Sequence, residues 1–189
     1  MRRRRGLAAC WLLLLAMSAA GQASKPKEER RTPTMVLDRT VMNLEEEFVP
    51  AAEAMPEDKF DFAPTNGEFK GVRTFAQQIK HVAAVNYEIA AAILEEKPPV
   101  DISDEAGPPS VKSKQEVLRY LKDSFAYVHK AIASINEGNL VHTVKSPFGE
   151  GKVSRMGLAT SIVWHAYDHY GQMVVYLRMN GIIPPASRR

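Results

Sequence analysis

The sequence predicts an all-α protein, an antiparallel four-helix bundle with long loops after helices 1, 2 and 3. Two observations support this fold class. Four segments of about 20 residues carry apolar side chains at the intervals of three and four residues that place them on one helical face. Most prolines and glycines fall between these segments. Four amphipathic helices bury their apolar faces most simply by packing together.

The first helix is predicted from one apolar stripe, formed by Leu37, Val41, Leu44 and Phe48. We expect it to begin near Thr32 or Thr34, since threonine caps helices. Pro50 is expected to kink or end it, with Pro56 as the outer limit, because proline lacks the N–H of the helical hydrogen bond. Residues 56–73 are then expected to form a long loop.

Helices 2 and 3 are each predicted from a capping box, formed by Thr74 with Gln77 and by Ser113 with Glu116. Helix 2 is expected to run to about Glu95, where two prolines follow. Helix 3 is expected to end at Gly138. The proline-rich stretch 98–112 between them is predicted to be a surface connection.

The fourth helix is predicted from about Ser154 to Asn180, with Gly181 at the position where glycine commonly ends a helix. Residues 139–153, before this helix, contain two glycines and short runs of alternating polar and apolar residues. A loop and a small hairpin both fit this pattern, so both remain open.

The first residues have the layout of a secretory signal peptide. Four arginines at positions 2–5 precede an apolar run at 7–17, and small residues follow up to Ala23. An uncleaved membrane anchor is the alternative, but the apolar run is shorter than the roughly 20 residues that a spanning helix needs. We therefore expect an exported protein, periplasmic or extracellular after cleavage, without a stable membrane span.

This interpretation divides the chain into a signal peptide (1–23), a flexible leader (24–33), the bundle (34–185) and a tail (186–189). Cleavage would remove four arginines and the sole cysteine, Cys10, and leave 21 basic and 22 acidic residues. Such a balance does not favour nucleic-acid binding. Without cysteine, the mature protein has neither a disulfide nor a thiolate ligand.

His165 and His169 lie four residues apart on the predicted fourth helix, so their rings share one face. The same face carries Leu158 and Ile162 and should therefore point inward. His81 lies in the middle of the second helix. Two imidazoles from one helix and one from another would give a three-nitrogen site with an open position, as in catalytic zinc sites. Hydrogen-bonded core histidines are the alternative.

Residues 164–185 resemble the last helix of the DinB superfamily, whose pattern is H-x-x-x-H-x-G-Q followed by Y-L-R-x-x-G and a proline. Segments 62–69 and 74–81 are also similar to that family, so the likeness covers residues 34–185. It implies a four-helix bundle in which His81, His165 and His169 bind zinc or nickel. Family members with known activity include thiol transferases and a thiol-dependent isomerase.

Two further residues are candidates for the chemistry of such a site. Glu88, seven residues after His81, is a candidate general base or a carboxylate that supports the ligands, with a solvated surface glutamate as the alternative. Gln172, seven residues after His165, is a candidate hydrogen-bond partner of the metal-bound water or of a histidine, with a backbone-bonded amide as the alternative. His129 and His142 are expected to be structural or surface residues.

The expected function is that of an exported metal-binding protein, a metal-dependent hydrolase or transferase that acts on an unknown small molecule. A non-catalytic periplasmic bundle that binds a metal or ligand is the first alternative. A bundle used only for protein contacts is the second, and a homodimer remains open. A pocket at the three histidines with an additional acid or base would favour the enzyme.

Overall fold

A computed structural model describes residues 31–188. The predicted signal peptide, most of the leader and the last residue of the tail lie outside the described residues. The elements in chain order are α1 (Pro33–Ala54), α2 (Phe75–Leu94), α3 (Lys114–Ala133), β1 (Thr143–Lys145), β2 (Lys152–Ser154) and α4 (Arg155–Met179). Short 3₁₀ turns occur at Glu57–Lys59 and Pro185–Ser187. The predicted four-helix bundle is confirmed.

The starts of α2 and α3 are fixed by the predicted capping boxes. Thr74 Oγ1 accepts the N–H of Gln77 at 3.3 Å, and the Thr74 N–H donates to Gln77 Oε1 at 2.8 Å. Ser113 and Glu116 make the same reciprocal pair. Each box satisfies backbone N–H groups that a helix start otherwise leaves without partners.

The helix ends agree less closely with the sequence-based prediction. The α1 helix continues through Pro50 to Ala54. The α3 helix ends at Ala133 rather than Gly138, because Asn139 accepts the Asn136 N–H through Oδ1 at 2.8 Å. Asparagine side chains that bond to nearby backbone in this way compete with helical hydrogen bonds. Gly181, at φ +74°, follows α4 at the predicted position.

Two neighbouring helix pairs are antiparallel, α1 with α3 and α2 with α4. The contacts that establish these directions are Thr34–Ile135 and Glu53–Lys122 for the first pair, and Gln78–Gln172 and Ile93–Arg155 for the second. The second pair carries all three candidate ligands, and its antiparallel packing places the first half of α2 beside the second half of α4.

The α2 and α3 helices instead run in the same direction, which the sequence did not predict. Asn86 Nδ2 donates to Ser124 Oγ at 3.2 Å, and Glu96, just after α2, accepts a hydrogen bond from Tyr127 at 2.6 Å. The connection 95–113 must therefore carry the chain back along the bundle. On its way it passes the first half of α2, where His81 lies.

The core lies between the helices. Its fully buried side chains come from all four of them and include Phe48, Ile79, Ile89, Leu121, Phe125 and Ile162. Burial of each such side chain contributes about 1.5–3 kcal/mol before the entropy of ordering is subtracted. The two strands pair antiparallel, so the hairpin left open by the sequence is present. No helix in the described part of the chain is long and apolar enough to span a bilayer.

Candidate metal centre

Three imidazoles meet between α2 and α4. His81 comes from α2, and His165 and His169 come from successive turns of α4. One ring nitrogen from each residue lies within 4.8 Å of the other two. The Nε2 atoms of His81 and His165 are 3.1 Å apart. The sequence therefore named the three rings that the fold brings together, although residues 81 and 165 are distant in the chain.

The second nitrogen of two of these rings is held by the protein. His81 Nδ1 donates to the backbone carbonyl of Glu105 at 2.8 Å. His169 Nδ1 donates to Oε1 of Gln78. A neutral imidazole that donates through Nδ1 keeps its lone pair on Nε2. Both rings are thus held in the tautomer that presents Nε2 to the shared space, as metal-binding histidines usually are.

A chain of amides continues from His169 to the surface. Gln78 Nε2 donates to Gln172 Oε1 at 2.9 Å, and Gln172 Nε2 donates to Asp168 at 3.1 Å. Gln172 therefore supports the site through Gln78 and bonds to no histidine itself. Sequence reasoning missed Gln78, although its position three residues before His81 places the two side chains on the same face of α2.

The Glu105 carbonyl lies in an unusual turn. Ser103, Asp104 and Glu105 have φ values of 45°, 51° and 67°, the left-handed region that non-glycine residues seldom adopt. Each such residue costs on the order of 1–2 kcal/mol. Lys80 holds the turn in place by donating to the Pro108 carbonyl at 2.8 Å. Strain of this kind is often found where a backbone group must be aimed at a functional site.

Burial makes all three rings poor bases. Desolvation is the largest cause, and it lowers the pKa of His165 and of His169 to about 4, with further lowering by the neighbouring rings. Desolvation also lowers the pKa of His81, although its bond to Glu105 acts in the opposite direction. The three rings are therefore neutral at pH 7, which is the form that binds metal.

These residues fit a divalent metal ion. Two nitrogens that each bind zinc tetrahedrally at about 2.05 Å lie about 3.3 Å apart, close to the 3.1 Å between His81 and His165. The nitrogen that His165 brings to this pair is Nε2, and its buried Nδ1 has no hydrogen-bond partner within residues 31–188, so this ring is not fixed through Nδ1 as the other two are. Three neutral imidazoles are also a donor set that zinc and nickel accept.

Two cavities lie along α2, and one of them is lined by His165. This cavity, about 240 Å³, is also lined by Glu105 and apolar side chains. Glu88 lines the other, about 550 Å³, together with Glu95 and Lys145. Burial, followed by the charges of Glu105 and Asp104, raises the pKa of Glu88. Glu88 thus lines a different cavity from the one at His165. Glu105, which the sequence did not indicate, is the acidic residue that lines the cavity at His165.

The other two histidines of the bundle lie away from this centre. His129 on α3 bonds to Asp38 at 2.6 Å and to Glu45 at 3.1 Å, both on α1. His142 is exposed just before β1. His129 therefore joins two helices, and His142 lies at the surface.

The chain matches the sequence profile of the DinB superfamily over residues 37–173. It belongs to this superfamily. The match includes α2 and most of α4, so all three histidines lie within it. No protein of curated function matches the sequence.

Solved structures show the same fold at low sequence identity. A conserved protein from Enterococcus faecalis has a TM-score of 0.63 and 19% identity, over 79% of this chain and 98% of its own. A DinB-like protein from Bacillus cereus has a TM-score of 0.63 and 12% identity, over 82% of this chain and 96% of its own. YfiT from Bacillus subtilis has a TM-score of 0.59 and 16% identity, over 84% of this chain and 94% of its own. That protein is described as a probable metal-dependent hydrolase with an unusual four-helix bundle topology.

Proposed function

We propose that this protein is a metal-dependent enzyme, a hydrolase or transferase that acts on a small molecule at His81, His165 and His169. The observation that carries the proposal is the convergence of three neutral imidazoles, two of which are fixed through Nδ1 by other protein groups. Core histidines need only hydrogen-bond partners. Three nitrogens aimed at one point, away from those partners, are what a metal ion requires.

An enzyme is favoured over a metal-storage bundle by what surrounds the rings. A cavity lined in part by Glu105 opens at His165, whereas a storage site would have a fourth protein ligand and no cavity. A bound divalent ion supplies Lewis-acid chemistry and increases the acidity of a coordinated water. The description of YfiT as a probable metal-dependent hydrolase agrees with this reaction class.

The metal is zinc or nickel, and the protein acts in the periplasm or outside the cell. Three imidazole donors without thiolates suit zinc or nickel better than magnesium or calcium, which prefer oxygen ligands. The arginines and the apolar run before residue 24 support export to the periplasm or beyond. Histidine ligands do not form disulfides as thiolates do, so they suit a site outside the cytoplasm.

Elemental analysis of the full chain, purified without a polyhistidine tag, tests the metal site. We expect stoichiometric zinc or nickel, lost in His81→Ala, His165→Ala and His169→Ala. His129→Ala and His142→Ala are matched controls that should keep the metal, because both rings lie away from the centre. A wild-type chain that stays metal-free after incubation with both ions would overturn the proposal.

A further inference from the structure

The cavity of about 240 Å³ at His165 has mostly apolar walls. They come from α2, α4, the connection 95–113 and the hairpin loop, and consist of Val85, Ile89, Glu105, Phe148, Ser161 and Trp164 with His165. Trp164 is 65% exposed and Phe148 46% exposed. Two exposed aromatic side chains beside one apolar cavity form a surface that a bound apolar molecule would cover, so the walls suit an apolar ligand.

The volume of this cavity limits the size of that ligand. An apolar cavity of about 150 Å³ is sufficient for benzene, and pockets for drug-sized molecules begin at about 300 Å³. The observed 240 Å³ lies between these values. One ring with a short substituent therefore fits.

The charge of the walls limits the ligand further. Within residues 31–188, Glu105 is the one acidic residue that lines this cavity. The pKa of the nearby Glu88 is raised by burial and then by the charges of Glu105 and Asp104, so the fields of these acidic groups overlap here. A ligand with a negative charge would be repelled by these acidic groups.

We propose that this cavity binds a monocyclic aromatic compound that is neutral or positively charged, with its ring between Trp164 and Phe148 and its polar substituent towards His165. The inference rests on the proposed function, because it names the class of substrate for the metal centre. Stacking on two aromatic side chains favours a planar ring over an aliphatic chain of the same volume. The negative charge of Glu105 disfavours ligands that carry a carboxylate.

The test is titration of the full chain with three probes of one size, benzyl alcohol, benzylamine and benzoate, followed by ligand-observed NMR. It is done on metal-free and zinc-loaded protein. We expect the alcohol and the amine to bind both forms. In the metal-free form, where no ion attracts a carboxylate, benzoate should bind at least tenfold more weakly than the alcohol.

Wall variants locate the binding. Trp164→Ala and Phe148→Ala should each weaken binding of benzyl alcohol at least fivefold, and both residues are exposed enough for the fold to survive the change. Val175→Ala, an exposed apolar residue of α4 outside the cavity, is the matched control and should have no effect. Glu105→Gln keeps the carbonyl that bonds to His81 and should improve benzoate binding, while the exposed Glu137→Gln should not.

The outcomes separate this inference from the metal centre. Protein that holds stoichiometric metal but binds none of the three probes overturns the inference and leaves the proposed function intact. Binding that is unchanged by both wall variants also overturns it. Probe binding that is lost in the wall variants, in a protein that never takes up metal, supports the cavity and refutes the proposed function.

Discussion

His169 donates a hydrogen bond through Nδ1 to Oε1 of Gln78, which lies three residues before His81 on α2. One turn of α2 therefore carries both a candidate metal ligand and the amide that orients a second candidate ligand on the neighbouring helix. Gln78 is 2% exposed and is itself held by Gln172 at 2.9 Å. Its orientation is thus fixed before any ion binds.

Replacing Gln78 should weaken metal binding without removing a ligand. In Gln78→Leu the His169 ring loses the acceptor that fixes its tautomer, and loss of such a partner typically costs about 10–100-fold in metal affinity. Competition titration with a zinc chelator measures the change. Gln115→Leu, on the exposed face of α3, is the control. Equal affinity in Gln78→Leu and wild type would show that the amide does not orient the ligand.

Metal binding should resist acid more than three ordinary histidines would. Three rings with pKa 6.5 would lose about a thousandfold in affinity at pH 5.5, since each must release a proton. Desolvation lowers the pKa of His165 and of His169 to about 4, so protonation of these two rings should reduce the metal affinity little at pH 5.5. We expect a loss of about tenfold or less there. Zinc titrations at pH 7.5, 5.5 and 4 measure it, and a thousandfold loss at pH 5.5 would contradict the buried, neutral site.

The parts of this structure that the sequence predicted are the local ones. The caps at Thr74 and Ser113 depend on residues three positions apart, and the inward face of α4 depends on the helical period. His81 was joined to the other histidines by resemblance to a family and not by spacing. No local pattern states that α2 and α4 would pack with these three rings opposite one another.

The parts that the sequence did not predict depend on the connection 95–113. The parallel direction of α2 and α3 follows from where this segment carries the chain, and its prolines indicate only that it is irregular. The carbonyl that Glu105 presents to His81 depends on a left-handed turn of three non-glycine residues. Sequence propensity argues against a turn of this kind, because surrounding contacts such as the Lys80–Pro108 bond are what hold it.

The ion pairs of His129 should make stability depend on pH. Burial lowers the pKa of His129, but hydrogen bonds to Asp38 and Glu45 outweigh this effect and the net shift is upward. A raised pKa means that the stabilisation is fully present below the unfolded value of about 6.5 and is lost as the pH rises through the folded value. The partners are partly exposed, so about 1 kcal/mol or less is expected.

Urea unfolding of wild type and His129→Gln at pH 5.5 and pH 8.5 measures this contribution. The difference in unfolding free energy between the two proteins should be larger at pH 5.5. Taking that difference removes the opposite effect of the metal-centre histidines, whose lowered pKa values reduce stability in acid. A larger difference at pH 8.5 would have the wrong sign for the proposed ion pairs.

The exported chain should begin at Gly21 or Ser24. Small residues at Ser18 and Ala20, or at Gly21 and Ala23, satisfy the requirement for small side chains before a signal-peptidase site. N-terminal sequencing of protein from the envelope fraction identifies the first residue. Recovery of a chain that retains Met1 would mean that the segment anchors the protein or that export does not occur.

Gly171→Ala should stabilise the protein. Gly171 lies within α4, where glycine is about 1 kcal/mol less favourable than alanine. A close approach of another helix is the usual reason for glycine at such a site, yet a Cβ added here meets no atom of another described element within 4 Å. The added methyl group should therefore raise the free energy of unfolding by about 1 kcal/mol. Thermal unfolding of the metal-free protein measures the change, with Ala126→Gly on the exposed face of α3 as the reverse control. A destabilised Gly171→Ala variant would show that this surface of α4 is covered in solution.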